Sequence, residues 1–418
     1  MWKIKYFKLC FLGLCILLMW YSSATCQKKM EWFVDSVSVR WEDGMGISPK
    51  QISGVLEKQK NAGMALPLFV LWTPHYEQIL YGNFYPAPTK GEVLEYYGDI
   101  SCLMPCRFKY GYWSGDENGC VIDEGIAHAL WGSSDVLGQT IKWNEKTWYV
   151  CGILEGMDDL VLFPAEKTNS MLFQGLWLNF SEEQGGIDAA EQLLQKYQLP
   201  LGIMTDLGLY VWLSKILATS PAFLLWMWAV VYITRRLWKL RHTWLLFLLS
   251  VPLMFIEMAV ISRSVGFPWS IPARFLPTRW SDGSFWIRLC VQIKDDILTI
   301  FHIPSAAWER TFWITFFLCG MWSILTILFL WPAIRTMPVP EPKNILWISM
   351  AWWTGLFFII WKNRDSTAGS PSITLWILPT IWMSIKWLLN FHTKLLESGK
   401  YSEQGGNHHV CIEEKTKN

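Results

Sequence analysis

The sequence predicts a membrane protein: an α-helical bundle of about six transmembrane helices with an inserted α+β extracytoplasmic domain. Hydrophobic residues make up 52% of the 418 positions and charged residues only 17%, a composition outside the range of ordinary soluble proteins. Apolar runs of membrane-spanning length follow position 206, whereas charges, glycines and prolines return between positions 26 and 205. One soluble-type domain is therefore expected between hydrophobic segments.

Residues 1–25 form the first hydrophobic segment. Three lysines lie within its first eight positions and precede the apolar run 9–20. A run this short is typical of the core of a secretory signal, and Ala24 is an acceptable cleavage edge. The same run suits a retained transmembrane anchor, which we favour because the later apolar runs have spanning lengths. The lysines predict a cytoplasmic N-terminus, so the domain that follows is expected outside the cytoplasm.

Residues 26–205 are predicted to form that extracytoplasmic domain, which is large enough to bury its own core. The stretch EWFVDSVSVRW (31–41) alternates between apolar and polar residues like a β-strand. Ser48-Pro49 begins a helix that ends at Gly63, and ALPLFVLW (65–72) is a second strand. Mixed α and β structure is the expected result.

A similar order of elements returns in residues 120–156. Asp123 is predicted to cap a helix that buries one face, formed by Ile126, Ala127 and Leu130. The segments QTIKW and TWYVCGIL then form a hairpin around Asn144-Glu145-Lys146. A last helix, near 181–198, leads back toward the apolar part of the chain.

The rest of the chain is predicted to cross the membrane repeatedly, as in a multi-pass protein of the cell membrane. The spans are expected at 217–233, 243–261, 312–331, 345–361 and 372–391. They divide this part into a helical pair (206–262), an extracytoplasmic loop (263–311), three helices (312–391) and a polar cytoplasmic tail (392–418). Arg235, Arg236 and Lys239 crowd the connection after the second span, as expected of a cytoplasmic loop.

The loop 263–311 is too long for a simple turn. Its segment 286–303 places Ile287, Val291, Leu298 and Phe301 largely on one side and charged residues elsewhere. That is the pattern of an amphipathic helix at a membrane interface. The loop is expected to contact lipid, a substrate or a partner, or to form a structural lid over the bundle.

Residues 120–164 carry a specific pattern. A strand runs into Asp123-Glu124, and the helix that follows contains Ala127 and Leu130. After it come Trp131-Gly132, Gly138-Gln139-Thr140-Ile141, the hairpin, Tyr149-Val150-Cys151-Gly152-Ile153 and Leu162-Phe163-Pro164. This order resembles the MacB-like periplasmic core domain of ABC transporter permeases of the MacB/FtsX type. The layout of one span, a large extracytoplasmic domain and returning spans is similar to that family's.

The resemblance implies a permease subunit of an ABC-type transporter or mechanotransmission complex. Such a subunit acts in export, in extraction of a substrate or in signalling across the membrane. It is not an enzyme and binds no cofactor, because ATP is hydrolysed by a separate P-loop ATPase subunit. The chain itself has no G-x-x-x-x-G-K-[ST] motif. The resemblance also implies a homodimer or a heterodimer with a related permease.

Arg235, Arg236 and Lys239 are the candidate ATPase contacts under this resemblance. The family places an "Arg, Glu, Ile, Gly" signature and a small coupling helix after its second span, whereas this chain has ITRRLWKLRHTW there. The same basic residues are also explained as charges that set the topology. The alternative function is therefore a membrane-anchored interaction or assembly protein that keeps a MacB-like domain and has lost ATPase coupling.

Two further sets of residues are candidate sites. Glu257 lies within the third predicted span, where a carboxylate is costly and usually faces protein or a cavity. The alternative is a hydrated position near the outer interface. Cys102, Cys106 and Cys120 lie in the extracytoplasmic domain, where an oxidising compartment permits a disulfide among them.

Several classes of function are disfavoured. The net charge of +1 gives no reason to expect a nucleic-acid partner. The sequence contains no G-x-S-x-G or H-E-x-x-H motif and no acidic cluster with metal-ligand spacing, so neither catalysis nor metal binding is expected. The expected partners are the lipid bilayer and other proteins.

Overall fold

The computed structural model describes residues 2–239 with short gaps, 283–336 apart from 303–304, 341–362, and separate positions between 248 and 268 and between 376 and 390. The gaps in the first range are 43, 62–66, 84–87, 104–105, 114–117, 158 and 181–185, and no side chain is described before residue 11. The chain forms two compact units. The sheet unit comprises Lys29–Leu213 and Ser270–Phe316, and the helical unit comprises Met1–Lys28, Ser214–Trp269 and Phe317–Asn418.

A mixed β-sheet forms the centre of the sheet unit and has ten strands in the described residues. The strands are β1 (Ser36–Arg40), β2 (Leu68–Gly82), β3 (Thr89–Gly98), β4 (Arg107–Gly111), β5 (Gly119–Asp123), β6 (Thr140–Trp143), β7 (Lys146–Glu155), β8 (Leu160–Pro164), β9 (Gly175–Asn179) and β10 (Ile203–Asp206). Their spatial order is β10-β1-β9-β2-β3-β8-β5-β7-β4, and β6 pairs with β2 and β7. The pairs β3–β8 and β5–β7 are parallel.

The described helices vary widely in length. They are α1 (Trp2–Met30), α2 (Pro49–Asn61), α3 (Ile100–Leu103), α4 (Glu124–Trp131), α5 (Ile187–Lys196), α6 (Leu207–Lys239), α7 (Gly283–His302), α8 (Ala307–Thr336) and α9 (Pro342–Lys362). Helices α1, α6 and α8 contribute residues to both units. A short 3-10 turn, Glu31–Phe33, connects α1 toward β1.

Helix α4 forms where the sequence predicts it. The Asp123 side chain accepts a hydrogen bond from the backbone N–H of Gly125 at 2.8 Å, which satisfies one of the free donors at the helix start. At the other end Gly132 has a φ of 70° and donates its N–H to the carbonyl of His128 at 2.8 Å. Residues Ile126, Ala127 and Leu130 are buried. The predicted cap and buried face are confirmed.

The predicted hairpin is also confirmed. Strands β6 and β7 are joined by Asn144 and Glu145, whose φ angles of 51° and 63° give the left-handed turn that two-residue hairpins favour. Gly152 lies in β7 where β4 approaches closely. A Cβ atom there would lie 2.5 Å from Cε1 of Phe108 and 2.8 Å from the Tyr112 carbonyl oxygen. The close approach of β4 at Gly152 therefore leaves no room for a side chain there.

Three boundaries differ from the sequence prediction. Strand β1 begins at Ser36 rather than 31, because α1 and the 3-10 turn occupy the preceding residues. Strand β2 continues to Gly82, well beyond 72, and its register shifts between His75 and Gln78. The shift breaks the alternation of apolar and polar residues, so the pattern indicates only the first part of the strand. Helix α5 begins at Ile187.

The two faces of the sheet are covered by different helices. The α8 face, named for the helix packed on it, buries strand residues such as Trp72, Leu94 and Trp177 against Tyr210 of α6 and Trp308 of α8. The opposite face, the α4 face, carries the alternate strand residues. There the residues of α2, α4 and α5 complete two clusters, and their members include Ile52, Leu71, Val93, Ile122, Ile126 and Leu194. Because both faces are covered, every residue of β1 is buried.

Three helices of the described chain are long and apolar enough to cross a membrane. The candidate spans are Leu207–Trp228, Ala307–Arg335 and Lys343–Lys362. They contain most or all of the predicted spans 217–233, 312–331 and 345–361. The predicted spans 243–261 and 372–391 lie mostly outside the described residues, and the apolar run 9–20 lies within α1. A bundle of six helices therefore stays a prediction.

In the helical unit, α1 packs against α6, α8 and α9. Leu17, Trp20 and Tyr21 of α1 share a buried cluster with Leu225 and Leu356. Side-chain hydrogen bonds join the helices as well. The Nε1 of Trp20 donates to the Ala218 carbonyl at 3.3 Å, and the Oγ atoms of Ser23 and Ser323 are 2.7 Å apart. Small residues such as Ser23 and Ser323 let apolar helices approach closely, and their hydroxyl groups form hydrogen bonds between the helices.

Candidate functional site

A buried ion pair joins strand β1 to the first turn of helix α8. The Nη1 atom of Arg40 lies 2.9 Å from Oε2 of Glu309, and both side chains are buried. Ser38, on the same side of β1, donates its hydroxyl to Oε1 of Glu309 at 3.2 Å. Both carboxylate oxygens of Glu309 therefore have partners, which a buried charge requires.

A second ion pair joins strand β3 to the next residue of α8. The Nη2 of Arg310 donates to Oε2 of Glu92, and Oε1 of Glu92 accepts the backbone N–H of Ala307 at 2.9 Å. The first N–H groups of a helix have no partner within the helix, and a negative charge is favourable beside them. Glu92 thus caps α8 and neutralises Arg310. Arg310 also donates to the Ser305 carbonyl at 2.6 Å.

Strand β9 makes room for these contacts at Gly175. Gly175 lies between Arg40 of β1 and Trp72 of β2 in the sheet. A Cβ atom at Gly175 would lie 2.1 Å from Cε2 of Trp72, so the indole ring occupies the space above β9. The guanidinium of Arg40 lies 5.1 Å from the centre of that ring, within the range of a cation–π contact. The missing side chain of Gly175 therefore lets Trp72 reach Arg40.

Aromatic residues pack beside the Arg40–Glu309 pair. The ring of Trp308 lies edge-on to Trp72, with centroids 5.6 Å apart, and stacks on Phe33 at 5.9 Å. One turn later, Phe312 meets Phe33 edge-on at 5.1 Å. Truncating a buried aromatic residue of this kind typically costs about 3–5 kcal/mol. The first turns of α8 are thus held by apolar packing as well as by charge.

Tyr76 lies near both ion pairs, beside the register shift of β2. Burial raises the pKa of Tyr76 to about 12, and the Glu92 carboxylate contributes to the increase. The phenol is therefore neutral at physiological pH. The positive charges of Arg40 and Arg310 partly offset this increase, because they lower the pKa of Tyr76. Tyr76 therefore lies in the polar surroundings of the two ion pairs and adds no charge to them.

The arrangement is suited to mechanical attachment rather than to chemistry. We call the set of Ser38, Arg40, Glu92, Glu309 and Arg310 the β–α8 joint. Its charged groups bind one another and the backbone. Within the described residues, no group of three or more His, Cys, Asp or Glu side chains is placed to hold a metal ion. The joint attaches the start of helix α8 to strands β1 and β3.

The predicted ATPase contacts lie near the C-terminal end of α6. Arg235 is exposed in the last two turns of α6, and Arg236 and Lys239 follow in the same helix. The side chains of Arg236 and Lys239, and all of Glu257, lie outside the described residues. The roles assigned to these residues stay predictions.

The three cysteines of the predicted disulfide are free in the structure. Cys102 and Cys106 pack on the α8 face, whereas Cys120 is buried on the α4 face. A bond from Cys120 to either of the others would have to cross the sheet. A disulfide among these cysteines stays a prediction. Burial raises the pKa of Cys106 to about 12, and burial followed by Asp99 raises the pKa of Cys102. Neither thiol readily forms the thiolate that starts oxidation.

The residues of the joint are absent from the sequence-based candidates. Ser36, Ser38 and Arg40 alternate with apolar residues, which on a surface strand indicates a side exposed to water. Glu309 and Arg310 fall in the segment predicted as the loop 263–311. Partners more than two hundred residues apart leave no local signal. The sequence signal that could have indicated the joint is the charged pair Glu309-Arg310, which directly precedes a long apolar run.

Comparisons with known proteins identify distant structural neighbours. No protein-family model and no curated protein matches the chain. The periplasmic region of MacB from Actinobacillus actinomycetemcomitans has 13% identity and a TM-score of 0.34, covering 42% of this chain and 90% of that one. The extracellular domain of the ABC-type transporter YknZ from Gram-positive bacteria has 13% identity and a TM-score of 0.31, with coverages of 41% and 97%.

A third similar chain is a domain of a protein described as a permease from Porphyromonas gingivalis. It has 14% identity and a TM-score of 0.26, and it covers 39% of this chain and 81% of that one. The first of these neighbours is a periplasmic region, the second an extracellular domain and the third a domain of a permease protein. At such TM-scores they carry no conclusion about substrate or partners.

Proposed function

We propose that this chain is a non-catalytic permease subunit of an ABC-type transporter or mechanotransmission complex. A separate ATPase would drive it, and its work would be export, extraction of a substrate or signalling across the membrane. The observation that carries the proposal is the β–α8 joint. It fixes the sheet to the start of a helix whose apolar length, Ala307–Arg335, suits a membrane span.

The joint supports this function because it is a directional attachment, which domain stability alone does not require. Burying a charged pair such as Arg40–Glu309 is often no more stabilising than packing apolar residues of the same size. Apolar packing by Trp308 and Phe312 already holds α8 against the sheet. Charged pairs add direction, because each acceptor accepts its donor only from a narrow range of angles. A directional attachment is what a moving helix needs in order to move a domain.

Placement in the membrane follows from the same helices. The candidate spans Leu207–Trp228, Ala307–Arg335 and Lys343–Lys362 belong in the cell membrane in this proposal. The lysines at the beginning of the chain and Arg235 favour a cytoplasmic position for the N-terminus and for the end of α6. The sheet unit is then extracytoplasmic and the C-terminal tail cytoplasmic. Pairing with a second copy or a related permease belongs to the same proposal.

Affinity purification tests the ATPase partner. The tagged chain would be extracted in mild detergent, and mass spectrometry would identify the proteins that accompany it. A variant with Arg235, Arg236 and Lys239 changed to alanine would be purified in parallel. Arg288→Ala with Lys294→Ala is the matched control, because it removes exposed basic residues from the sheet unit instead.

We expect a P-loop ATPase in stoichiometric amount with the wild type and the control, and its loss from the triple variant. Recovery of no ATPase in any sample would favour the second function, a membrane-anchored interaction or assembly protein that has lost coupling. The stretch ITRRLWKLRHTW supports that second function, because it lacks the acidic residue and glycines of the family's coupling segment. An ATPase that stays bound to the triple variant would remove the three basic residues from the contact.

A further inference from the structure

Helix α7 presents a largely exposed apolar stripe. Ile287, Val291 and Leu298 are 67%, 50% and 42% exposed, and their spacing places them within one narrow sector of the helix. Trp286, also exposed, lies at the N-terminal end of the helix. Leu289 points in nearly the opposite direction and is buried. The helix therefore turns one side to its own unit and its apolar stripe outward.

The charges of α7 are placed for a lipid surface rather than for a protein partner. Lys294 is exposed within the stripe, and Arg288 is exposed at its flank. A lysine beside apolar residues buries its stem and extends its ammonium group to the headgroups. In a protein interface the same ammonium would need an acidic partner or would be buried at high cost. The helix holds two basic and two acidic residues, so apolar burial and not net charge would hold it.

The chain itself brings α7 close to lipid. Helix α7 ends at His302, and α8, a candidate membrane span, begins at Ala307. From Ile314 onward α8 exposes large apolar residues, including Phe317 and Met321. Ile314 is about 10 Å along the helix from Ala307, because an α-helix rises about 1.5 Å per residue. The last residue of the exposed stripe, Leu298, therefore precedes Ile314, the first exposed apolar residue of α8, by sixteen positions.

We infer that α7 lies in the boundary between headgroups and acyl chains, with Ile287, Val291 and Leu298 in contact with phospholipid. Helices with one apolar side and little net hydrophobicity bind membranes in this way. Trp286 occupies the interfacial zone in which tryptophan is enriched. The helix then forms a second lipid contact of the sheet unit, in addition to the spans. This inference rests on the membrane placement proposed above.

Photolabelling of the unmodified chain tests the inference. The full-length protein would be placed in nanodiscs of phosphatidylcholine that contain a small fraction of a phosphatidylcholine with a diazirine in its acyl chain. After illumination, peptide mapping by mass spectrometry would locate the adducts. Ile324 and Leu328, exposed on α8, serve as the positive control, and Tyr112, which is 74% exposed in the sheet unit, is the matched negative control.

We expect adducts on α7 at a yield within about threefold of those on α8, and at least about tenfold fewer at Tyr112. Label on α8 without label on α7 would overturn the inference and leave the membrane placement intact. Equal labelling of α7 and Tyr112 would also overturn it, because the label would then report exposure alone. Absence of label from α8 would refute the membrane placement, which distinguishes that failure from failure of the inference about α7.

Substitutions within the apolar stripe of α7 provide a second test of the inference. Val291→Asp with Leu298→Asp places charge in the stripe, and Met171→Asp with Leu172→Asp replaces two exposed apolar residues elsewhere in the sheet unit. We expect the first pair to reduce labelling of α7 about tenfold while labelling of α8 is unchanged, because aspartate is costly in hydrocarbon. The control pair should label like the wild type. Undiminished labelling of the Val291 and Leu298 variant would contradict contact through this stripe.

Discussion

A buried carboxylate such as Glu309 is costly unless its partners remain in place. Glu309→Gln keeps the shape of the side chain and removes its charge, which leaves Arg40 buried without its ion-pair partner. We expect a loss of about 3 kcal/mol in the stability of the sheet unit, which lowers its melting temperature by about 6–12 °C for a unit of this size. The measurement is thermal unfolding of the purified protein in mild detergent.

Two comparisons isolate the role of burial. Glu77→Gln removes a carboxylate whose partner, Lys90, is 3.1 Å away, with both side chains largely exposed. That change should cost less than about 0.5 kcal/mol. Arg40→Leu combined with Glu309→Leu removes both charges and should recover most of the lost stability. If Glu309→Gln is no more harmful than Glu77→Gln, the two charges are not buried as a pair.

Asp123 combines a favourable hydrogen bond with an unfavourable charge. Burial raises the pKa of Asp123, although the N–H groups of Gly125 and Glu124 act in the opposite direction. A carboxyl whose pKa is higher in the folded state binds more protons there than in the unfolded state. Its contribution to stability therefore falls as the pH rises from its ordinary pKa through the raised one.

Asp123→Asn keeps the cap acceptor and removes the charge. We expect this variant to be as stable as the wild type or more stable at pH 7, whereas Asp123→Ala should lose about 1 kcal/mol with the cap. The stability difference between Asn and Asp should grow as the pH increases through the acid range. Unfolding curves of both proteins from pH 3 to pH 7 check this, and a difference that shrinks with pH would mean that Asp123 is stabilised as a carboxylate.

At the scale of elements, strand β9 controls the position of Trp72. Gly175→Ala would place a methyl group against the face of the indole, so either Trp72 must leave Arg40 or the strands must separate. We expect a loss of about 1–3 kcal/mol, typical of overpacking a dense core. Gly54→Ala is the control, because Gly54 lies in α2 with open space where its Cβ would be.

The control should raise stability by about 0.5–1 kcal/mol, since alanine favours the helix over glycine. Thermal unfolding distinguishes the two substitutions by sign. Equal small effects at both positions would mean that Trp72 does not occupy the space above Gly175, and the cation–π contact with Arg40 would have to be abandoned.

The elements that the sequence predicts well are those with short-range causes. Asp123, Gly132 and the turn at Asn144 each specify a local conformation within a few residues, so α4 and the hairpin follow from the chain alone. The sheet order does not, because the parallel pairs β3–β8 and β5–β7 join segments that are distant in sequence. The joint has the same origin. Arg40 alternates with apolar residues in the sequence, and its burial depends on α8, which returns from far along the chain.

On the scale of the whole molecule, α1 is part of the helical unit. Trp20, Ser23 and Leu17 pack against later helices, so cleavage after Ala24 would leave the Oγ of Ser323 buried without its 2.7 Å partner. We expect the mature protein to retain residues 1–25. Intact-mass measurement of the purified chain checks this, with Ala24→Leu as a variant that blocks signal cleavage.

Wild type and Ala24→Leu should differ only by the mass of the substitution. A wild-type chain shortened to begin near Thr25, beside an uncut variant, would establish a cleaved signal. The contacts of Ser23 and Trp20 would then belong only to a precursor.

The β–α8 joint also determines which motions of α8 the sheet must follow. Consecutive residues of a helix point about 100° apart, and strands β1 and β3 lie about 14 Å apart, with β9 and β2 between them. A helix tied to a domain at one point can swivel about its own axis without moving the domain. Glu309 and Arg310 tie α8 at two points on opposite sides of β2 and β9. A rotation of α8 about its axis therefore acts on the sheet as a torque, and the strands turn with the helix unless an ion pair breaks.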